Sequence, residues 1–448
     1  MRALRYLSLL SALAVVQPAF AETLNDALAK AYATNPELES ARANLRAVDE
    51  QAPQARSGYR PNVALNGSVG RTWRDSPALG DDDYTSKVAN LSVEQPLFRG
   101  GRTAAAMRQA DSAIAAQRGA LLNTEQTVLL GGVEAYLGVV RDQAVLELNK
   151  NNEEVLARQL RATKDRFAVG EVTKTDVSQA EARYSAAVSG RIQAEGALTA
   201  SRATYLRLFG NAPESLKKPD VKLTLPASLD EAVTTARTNN PGVVIATNSK
   251  SAAVAALAGV EGERLPTVSA TASWQRAYDA GNSAYNRVDD KSAVVSMKWP
   301  LYTAGLTSSR IREAKQNIAR RVNDIDSAER QSVEAATQAW EAWQTAKSSV
   351  DSRKSQVKAA QVALDGVREE ANVGSRTVLD TLNAEQEYLD AQVALVRAEH
   401  DEIVAQYQLL ASTGRLTARE LQLGVEYYDE TAYSNRVRNQ WIGSSTGD

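Results

Sequence analysis

The chain has 448 residues, of which 43% are apolar but only 6% aromatic, with a net charge of −2 and no cysteine. That charge leaves no electrostatic footprint for nucleic acid, which calls for a strongly basic surface. The missing cysteine excludes disulfides and lipid attachment through an N-terminal Cys, and an apolar but aromatic-poor composition suits long helices with shallow interfaces better than one compact core.

Residues 1–21 read as a secretory signal peptide. Arg2 and Arg5 give a positive start, Leu4 to Val16 is mostly apolar, and Ala19-Phe20-Ala21 is a small-x-small cleavage site. A buried N-terminal helix is the alternative. The rest of the chain has no uninterrupted apolar run of eighteen residues, so no transmembrane helix is predicted.

A helix is expected from Thr23, capped by the box Thr23-Leu24-Asn25-Asp26. It breaks at Asn35-Pro36, restarts with Pro36 as first helical residue, and runs to about Arg56, with a kink at Pro53. The period then changes to two. Val63, Leu65, Val69 and Trp73 share one face; Asn62, Asn66, Ser68 and Thr72 share the other. Lys87 to Leu97 alternates in the same way, with Ala89, Leu91, Val93 and Leu97 opposite Val88, Asn90, Ser92 and Glu94. Asp75-Ser76-Pro77 and Gly80-Asp81-Asp82-Asp83 mark a polar loop between these strands. From about Gly101 to Ala168 there is no proline, which predicts a helix about 100 Å long if unbroken. It stops at Gly170, a left-handed C-cap, and a second helix capped by Thr173 with Asp176 returns to Leu208-Phe209-Gly210.

After a linker at 211–228, containing the Pro- and Lys-bearing stretch Lys217 to Pro226, the same order returns. Asn35-Pro36 recurs 205 residues later as Asn240-Pro241, and Pro61 recurs at the same spacing as Pro266. Gln95-Pro96-Leu97-Phe98 recurs 204 residues on as Trp299-Pro300-Leu301-Tyr302, and Val169-Gly170 as Val373-Gly374. The second copy has its own capping box at Ser228 to Glu231 and strands with Val268, Ala270, Ala272 and Trp274 on one face. Ala293, Val295, Met297, Trp299 and Leu301 continue that face, before a proline-free run to Asn372 and a return helix capped by Thr377 with Asp380. The division is therefore a first repeat at 22–210 (strand pair about 61–97, helical hairpin about 101–209) and a second at 229–414 (strand pair about 266–301, hairpin about 305–413). The C-terminal segment 415–448 has no long-range period, and Gly443 to Asp448 has the composition of a disordered tail. A period this long is a duplicated architecture, not a solenoid.

Short strands with one apolar and one small, polar face fit a membrane β-barrel. Trp73, Tyr84, Trp274, Tyr278, Tyr285, Trp299 and Tyr302 cluster near the strand ends, as interfacial girdles do. A half-buried soluble sheet has the same period and stays open as the alternative. In a bilayer, four strands would leave two unpaired edges and are too few to close, so several chains must share one barrel. Two copies would supply eight strands and three would supply twelve; strand count alone does not choose.

Phe167-Ala168-Val169-Gly170-Glu171-Val172-Thr173-Lys174-Thr175-Asp176-Val177 resembles the first helix-turn-helix of the TolC family of outer-membrane channels, and Val373-Gly374-Ser375-Arg376-Thr377-Val378-Leu379-Asp380-Thr381-Leu382-Asn383-Ala384 resembles the second. The resemblance extends in order from Thr23 to about Gly414. It implies an α+β membrane protein with internal duplication: a homotrimer with a twelve-stranded barrel in outer-membrane lipid, four strands per chain, continued by a periplasmic α-helical tunnel. It also implies a periplasmic adaptor and an inner-membrane transporter as partners, and a passive exit duct for drugs or secreted proteins. By the same resemblance Asp380 lies in the ring at the periplasmic constriction. Arg376, Thr175 and Asp176 match positions whose bonds hold that end closed. Asn383 stands where a second acidic ring residue is common, and Ala371 where a tyrosine often adds a closing bond. The turns Val169-Gly170-Glu171 and Val373-Gly374-Ser375 would meet the adaptor, with Glu171 charged where an apolar residue is common.

Plainer roles compete with these. Asp176 and Asp380 each complete a capping box with the preceding threonine. Arg376 is spaced for an i,i+4 pair with Asp380; the gating role requires it to reach the Thr175–Asp176 turn instead. No catalytic, cofactor-binding or metal-ligating constellation is present. His400 is the single histidine and reads as a surface or packing residue, and no HExxH spacing can occur. Gly443 to Gly447 fits G-x-S-x-G only in a small-residue tail, and Gly170 to Thr175 lacks the glycine a phosphate loop needs before its lysine. Trp340 and Trp343 read as packing between helices. The competing classes are an envelope-spanning coiled-coil structural protein, which leaves the strands unexplained, and a periplasmic enzyme, which has no site.

Overall fold

A computed structural model describes residues 22–75, 82–220, 223–279 and 286–445. Residues 1–21, expected as a signal peptide, the tip of the first strand loop from Ser76 to Asp81, Tyr285 of the aromatic set, and Thr446 to Asp448 of the tail lie outside the described residues.

Helices α1 (Leu24–Thr34) and α2 (Pro36–Asp49) meet at Asn35, whose side chain accepts from the Glu37 N–H while Pro36 starts the new helix. The expected single helix to Arg56 is broken at Glu50, after which α3 (Gln51–Arg56) follows. Pro53 has no N–H to offer the Asp49 carbonyl and crowds it, so the break falls one turn before the proline. Strands β1 (Asn62–Arg74) and β2 (Asp82–Arg99) come next, then α4 (Arg102–Ala168) and α5 (Lys174–Phe209). Asp83, expected in the loop, lies inside β2 opposite Trp73.

The second half repeats the order with α6 (Leu229–Asn239), α7 (Pro241–Glu261), β3 (Thr267–Tyr278), β4 (Arg287–Lys298), α8 (Leu306–Asn372) and α9 (Val378–Ser412). Trp299 and Leu301, expected in the last strand, lie just beyond its end, where Pro300 ends donation to a ladder. The stretch Leu229–Arg264 contains an 18-residue window of mean hydropathy 1.4, long and apolar enough for a span by composition. The sequence expectation of no such helix rested on uninterrupted apolar runs, which Thr247, Asn248 and Lys250 break up. The stretch divides at Asn240-Pro241, and α7 packs along α4 and α8 within the helical tier.

α4 and α8 each run for 67 residues, about 100 Å at 1.5 Å per residue, and each folds back into a hairpin with its return helix. The main core lies around the middle of α4, not at its ends. Leu121, Leu129, Val133 and Tyr136 pack there against Leu28 and Tyr32 of α1, Leu198, Tyr205 and Phe209 of α5, and Tyr407 and Leu410 of α9. The segment after α9, which shows no period, supplies Leu416, Ala418 and Leu423 to the same core and carries a short helix, α10 (Ala432–Val437). Polar groups fix this collar. The Tyr136 hydroxyl lies 2.8 Å from the carbonyls of Glu22 and Lys217, and the Tyr205 hydroxyl donates to the Glu22 carboxylate at 2.8 Å. Arg42 is buried between the rings of Tyr32 and Tyr428, at 4.7 and 5.1 Å.

Candidate functional site

The residues singled out in the sequence lie in two places: the sheet at one end of the long helices and the hairpin turns at the other. The sheet is antiparallel in the order β1-β2-β3-β4, so β1 and β4 are both edge strands. Directly opposed residues in antiparallel strands share a face. One face therefore carries the rows Val63–Val93–Ala272–Ala293 and Leu65–Leu91–Trp274–Lys291, with Ala270–Val295 and Val268–Met297 nearer the helices. The other carries Ala64–Ser92–Ser273–Ser292 and Asn66–Asn90–Gln275–Asp290.

Along β2 the first face is exposed at Ala89, Leu91 and Val93 while Val88, Asn90 and Ser92 are half-buried; along β3, Ala272 and Trp274 are exposed while Ala277 is buried. A curved sheet exposes its convex side and shields its concave side, so the apolar rows face outward and the serine and amide rows face inward. Cross-strand bonds Ser269–Ser296 (3.1 Å) and Ser273–Ser292 (2.8 Å) lie on the concave face. At the base of β2 the register shifts between Pro96 and Phe98, a bulge that leaves Leu97 58% exposed. Of the aromatic set, Trp73, Tyr84 and Tyr278 lie toward the strand tips and Trp299 and Tyr302 at the base. Trp274 lies inside the sheet, opposite Leu91 and Lys291.

At the far end, the turns at 169–173 and 373–377 are built alike. Gly170 and Gly374 both adopt φ +81°, and the Glu171 and Ser375 N–H groups close back on the carbonyls of Arg166 and Glu370 at 3.0 and 2.9 Å. This is the Schellman closure of a helix C-terminus, available to glycine at no steric cost. Val169 and Val373 are 72% and 80% exposed. Each turn is tied by one Arg–Glu pair of opposite sense: Arg166 reaches forward to Glu171 at 3.1 Å, whereas Arg376 reaches back to Glu370 at 2.7 Å.

The return helices start in full capping boxes. Asp176 accepts from the Thr173 N–H (2.8 Å) and hydroxyl (2.7 Å), and Asp380 from the Thr377 N–H (3.0 Å) and hydroxyl (2.7 Å). Those bonds hold both carboxyls below the usual Asp range. Thr175 is exposed on the first turn of α5. Within one chain Arg376 bonds neither to Thr175 nor to Asp176; its partner is Glu370, which holds the guanidinium more firmly protonated. The i,i+4 pair with Asp380 is not formed either, although Asp380 lies near enough to act electrostatically.

One link does join the two hairpins near the turns. Asn383 of α9 accepts from Arg183 of α5 at 2.8 Å. Below it, Arg368 of α8 donates twice to the buried Glu385 of α9, at 3.1 and 2.5 Å. Sequence reasoning missed Arg183, Arg368 and Glu385. Arg183 and Asn383 are 200 residues apart and occupy different positions in the two repeats, so no local pattern pairs them. His400 contacts Asp401 at 2.9 Å, and Trp340 and Trp343 pack edge to face at 5.2 Å. Among the described residues, no three His, Cys, Asp or Glu side chains are grouped to hold a metal ion.

Comparison with known proteins places this geometry. The family described as "Outer membrane efflux protein" matches residues 27–211 and again 232–415. The chain is 36% identical over 432 residues to "Outer membrane efflux protein BepC" of Brucella suis biovar 1 (strain 1330), covering 96% of this chain and 94% of that protein. It is 26% identical to "Outer membrane protein TolC" of Escherichia coli (strain K12), covering 90% and 84%. Its fold is similar to the Campylobacter jejuni CmeC outer membrane channel, with a TM-score of 0.79 at 15% identity, covering 93% and 89%. The chain therefore belongs to the outer membrane efflux protein family, the TolC-type channels of the outer membrane that serve as exit ducts in efflux and type I secretion.

Proposed function

We propose that three copies of this chain close one twelve-stranded barrel and one helical tunnel, which takes substrate from an inner-membrane transporter and a periplasmic adaptor to the exterior. The observation that carries the reading is the open sheet: an apolar convex face, a polar concave face and two unpaired edges, β1 and β4. Unpaired edges in hydrocarbon cost several kcal/mol per unsatisfied group, which closure between copies removes. Two copies would give about eight strands, a barrel whose interior side chains fill; a third opens a lumen. In this reading residues 1–21 are a leader, 22–210 and 229–414 are the two repeats joined by 211–228, and 415–448 is a C-terminal equatorial segment that ends in a tail.

The turns Val169-Gly170-Glu171 and Val373-Gly374-Ser375 are the adaptor contacts in this proposal, since their exposed valines sit on rigid glycine caps. Thr175, Asp176, Arg376, Asp380 and Asn383 form the periplasmic constriction. Asp176 and Asp380 there cap their helices and present charge to the lumen together. Native mass spectrometry of the detergent-extracted protein tests the assembly: a trimer from the outer-membrane fraction is expected, and a soluble or dimeric protein overturns it. Planar-bilayer conductance of Arg376→Ser tests the gate. An increase over wild type is expected, and no increase removes Arg376 from the closing set.

A further inference from the structure

The convex face of the sheet is not apolar throughout. Toward the strand tips it carries Lys87 on β2, Arg276 on β3, and Arg287, Asp289 and Lys291 on β4. The register sets them in three successive rows of that face: Lys87–Tyr278–Arg287, Ala89–Arg276–Asp289 and Leu91–Trp274–Lys291. Opposed side chains in such rows stand about 5 Å apart and successive rows about 7 Å, so the four cations span roughly 10 by 14 Å.

Within this patch Asp289 is the sole carboxylate, and it is already used twice, by Arg276 at 2.6 Å and Arg287 at 3.3 Å. Arg276 is also fixed over the Trp274 ring at 5.0 Å. Farther out, Arg71 and Asp83 pair with each other and add no net charge. Lys87 and Lys291 have no ion-pair partner among the described residues. Four cations against one carboxylate leave the patch with a net charge of three positive, which nothing else on this face among the described residues neutralises.

The patch begins where the continuous apolar rows end, although Val69 on β1 lies opposite Lys87. Lys291 lies in the same row as Leu65, Leu91 and Trp274, and the next rows toward the helices are apolar except for Gln95, opposite Ala270. A lysine at that margin extends its stem along the apolar surface and its ammonium toward the headgroups. The helices leave from the opposite end of the strands, so these cations face the outer leaflet.

We propose that this patch is a binding site for a phosphorylated lipid of the outer leaflet, whose acyl chains lie on the apolar rows while its phosphates are held by Lys87, Arg276, Arg287 and Lys291. Clusters of basic side chains beside an apolar membrane surface recognise anionic headgroups in this way. Arg276, held by Trp274 and Asp289, supplies a fixed donor, and the two lysines supply mobile charge for phosphates on either side of it.

The test uses the full-length channel, delipidated in detergent, with bisphosphorylated lipid A as the probe and its monophosphorylated form as the comparison. Retention is read by native mass spectrometry. Wild type is expected to retain the bisphosphorylated lipid at least tenfold better than the Lys87→Gln/Lys291→Gln variant and better than it retains the monophosphorylated lipid, with retention falling as salt rises. Lys87→Arg/Lys291→Arg is expected to bind as wild type does. Should the double glutamine variant not assemble, Arg287→Gln alone is expected to lower retention about fivefold. Equal retention by wild type and the glutamine variant, or of both lipids, overturns the proposal. Displacement of the lipid by millimolar inorganic phosphate would instead assign the site to a free anion and overturn the lipid as its ligand.

Discussion

The collar around the middle of α4 and the turns at the hairpin ends are built from the same helices by different means. In the collar, Tyr136, Tyr205, Phe209, Leu129 and Leu416 are fully or almost fully buried, and elements from both repeats and the C-terminal segment meet. Near the turns the buried apolar cluster is reduced to Leu156, Ala180, Ala187 and Leu382, and the remaining ties are polar: three Arg–Glu pairs, the Lys164–Glu181 pair, two capping boxes and the Arg183–Asn383 bond. Burial of apolar area is cumulative and hard to undo locally, whereas each exposed polar tie contributes little to stability and can be exchanged for another partner or for water. The same chain therefore combines a fixed waist with ends that can change partners.

The largest expected effect is in the collar. Phe209→Ala removes a buried ring 4.2 Å from that of Tyr205 and should cost about 3–5 kcal/mol, seen as loss of the assembled oligomer or a large fall in its melting temperature. Gly132→Ala should cost about 1–3 kcal/mol, because the added methyl would meet the Leu28 side chain at 2.9 Å, a methyl end that can shift only at the expense of its packing. At the other end, Gly374→Ala places a side chain at φ +81° and should cost about 1–2 kcal/mol, expressed as faster proteolysis at the turn with the oligomer intact. Thr377→Ala removes the cap of α9 and should cost about 1 kcal/mol, confined to faster hydrogen exchange in its first turn.

The smallest effect is one of pH. The folded-state pKa values of Asp176 and Asp380 are depressed, so their caps contribute fully above the unfolded Asp value of about 4 and are lost as pH falls through the lower folded values. Exchange at residues 173–180 and 377–384 should rise in that acidic window while the collar stays protected. A collar that opens first would reverse the comparison.

The parts of this molecule that are legible in sequence are those fixed locally. The capping boxes at Thr173 and Thr377, the glycine turns and the alternation of the strands depend on residues a few positions apart, and the structure shows each of them. The break before Pro53 and the strand position of Asp83 are displaced by a few residues, because where an element ends depends on which backbone groups find partners. The collar was not legible in the C-terminal segment, where Leu416, Ala418 and Leu423 are buried without any period, since an irregular strap packs through single side chains. At the second turn, Arg376 has Glu370 and Asp380 near it, and the closed turn geometry selects Glu370; spacing alone points to Asp380. The partner of Asn383 could not be inferred, because Arg183 comes from the other repeat.

The most direct test of a fixed waist with exchangeable ends is hydrogen exchange along the full-length channel in detergent. Slow, cooperative exchange is expected for residues 119–146 and 194–209, and exchange faster by orders of magnitude for residues 164–178 and 368–382. Removing the Arg183–Asn383 tie with Arg183→Ala should accelerate the second group alone. Uniform protection from collar to turns, or acceleration of the collar by that substitution, would contradict the account.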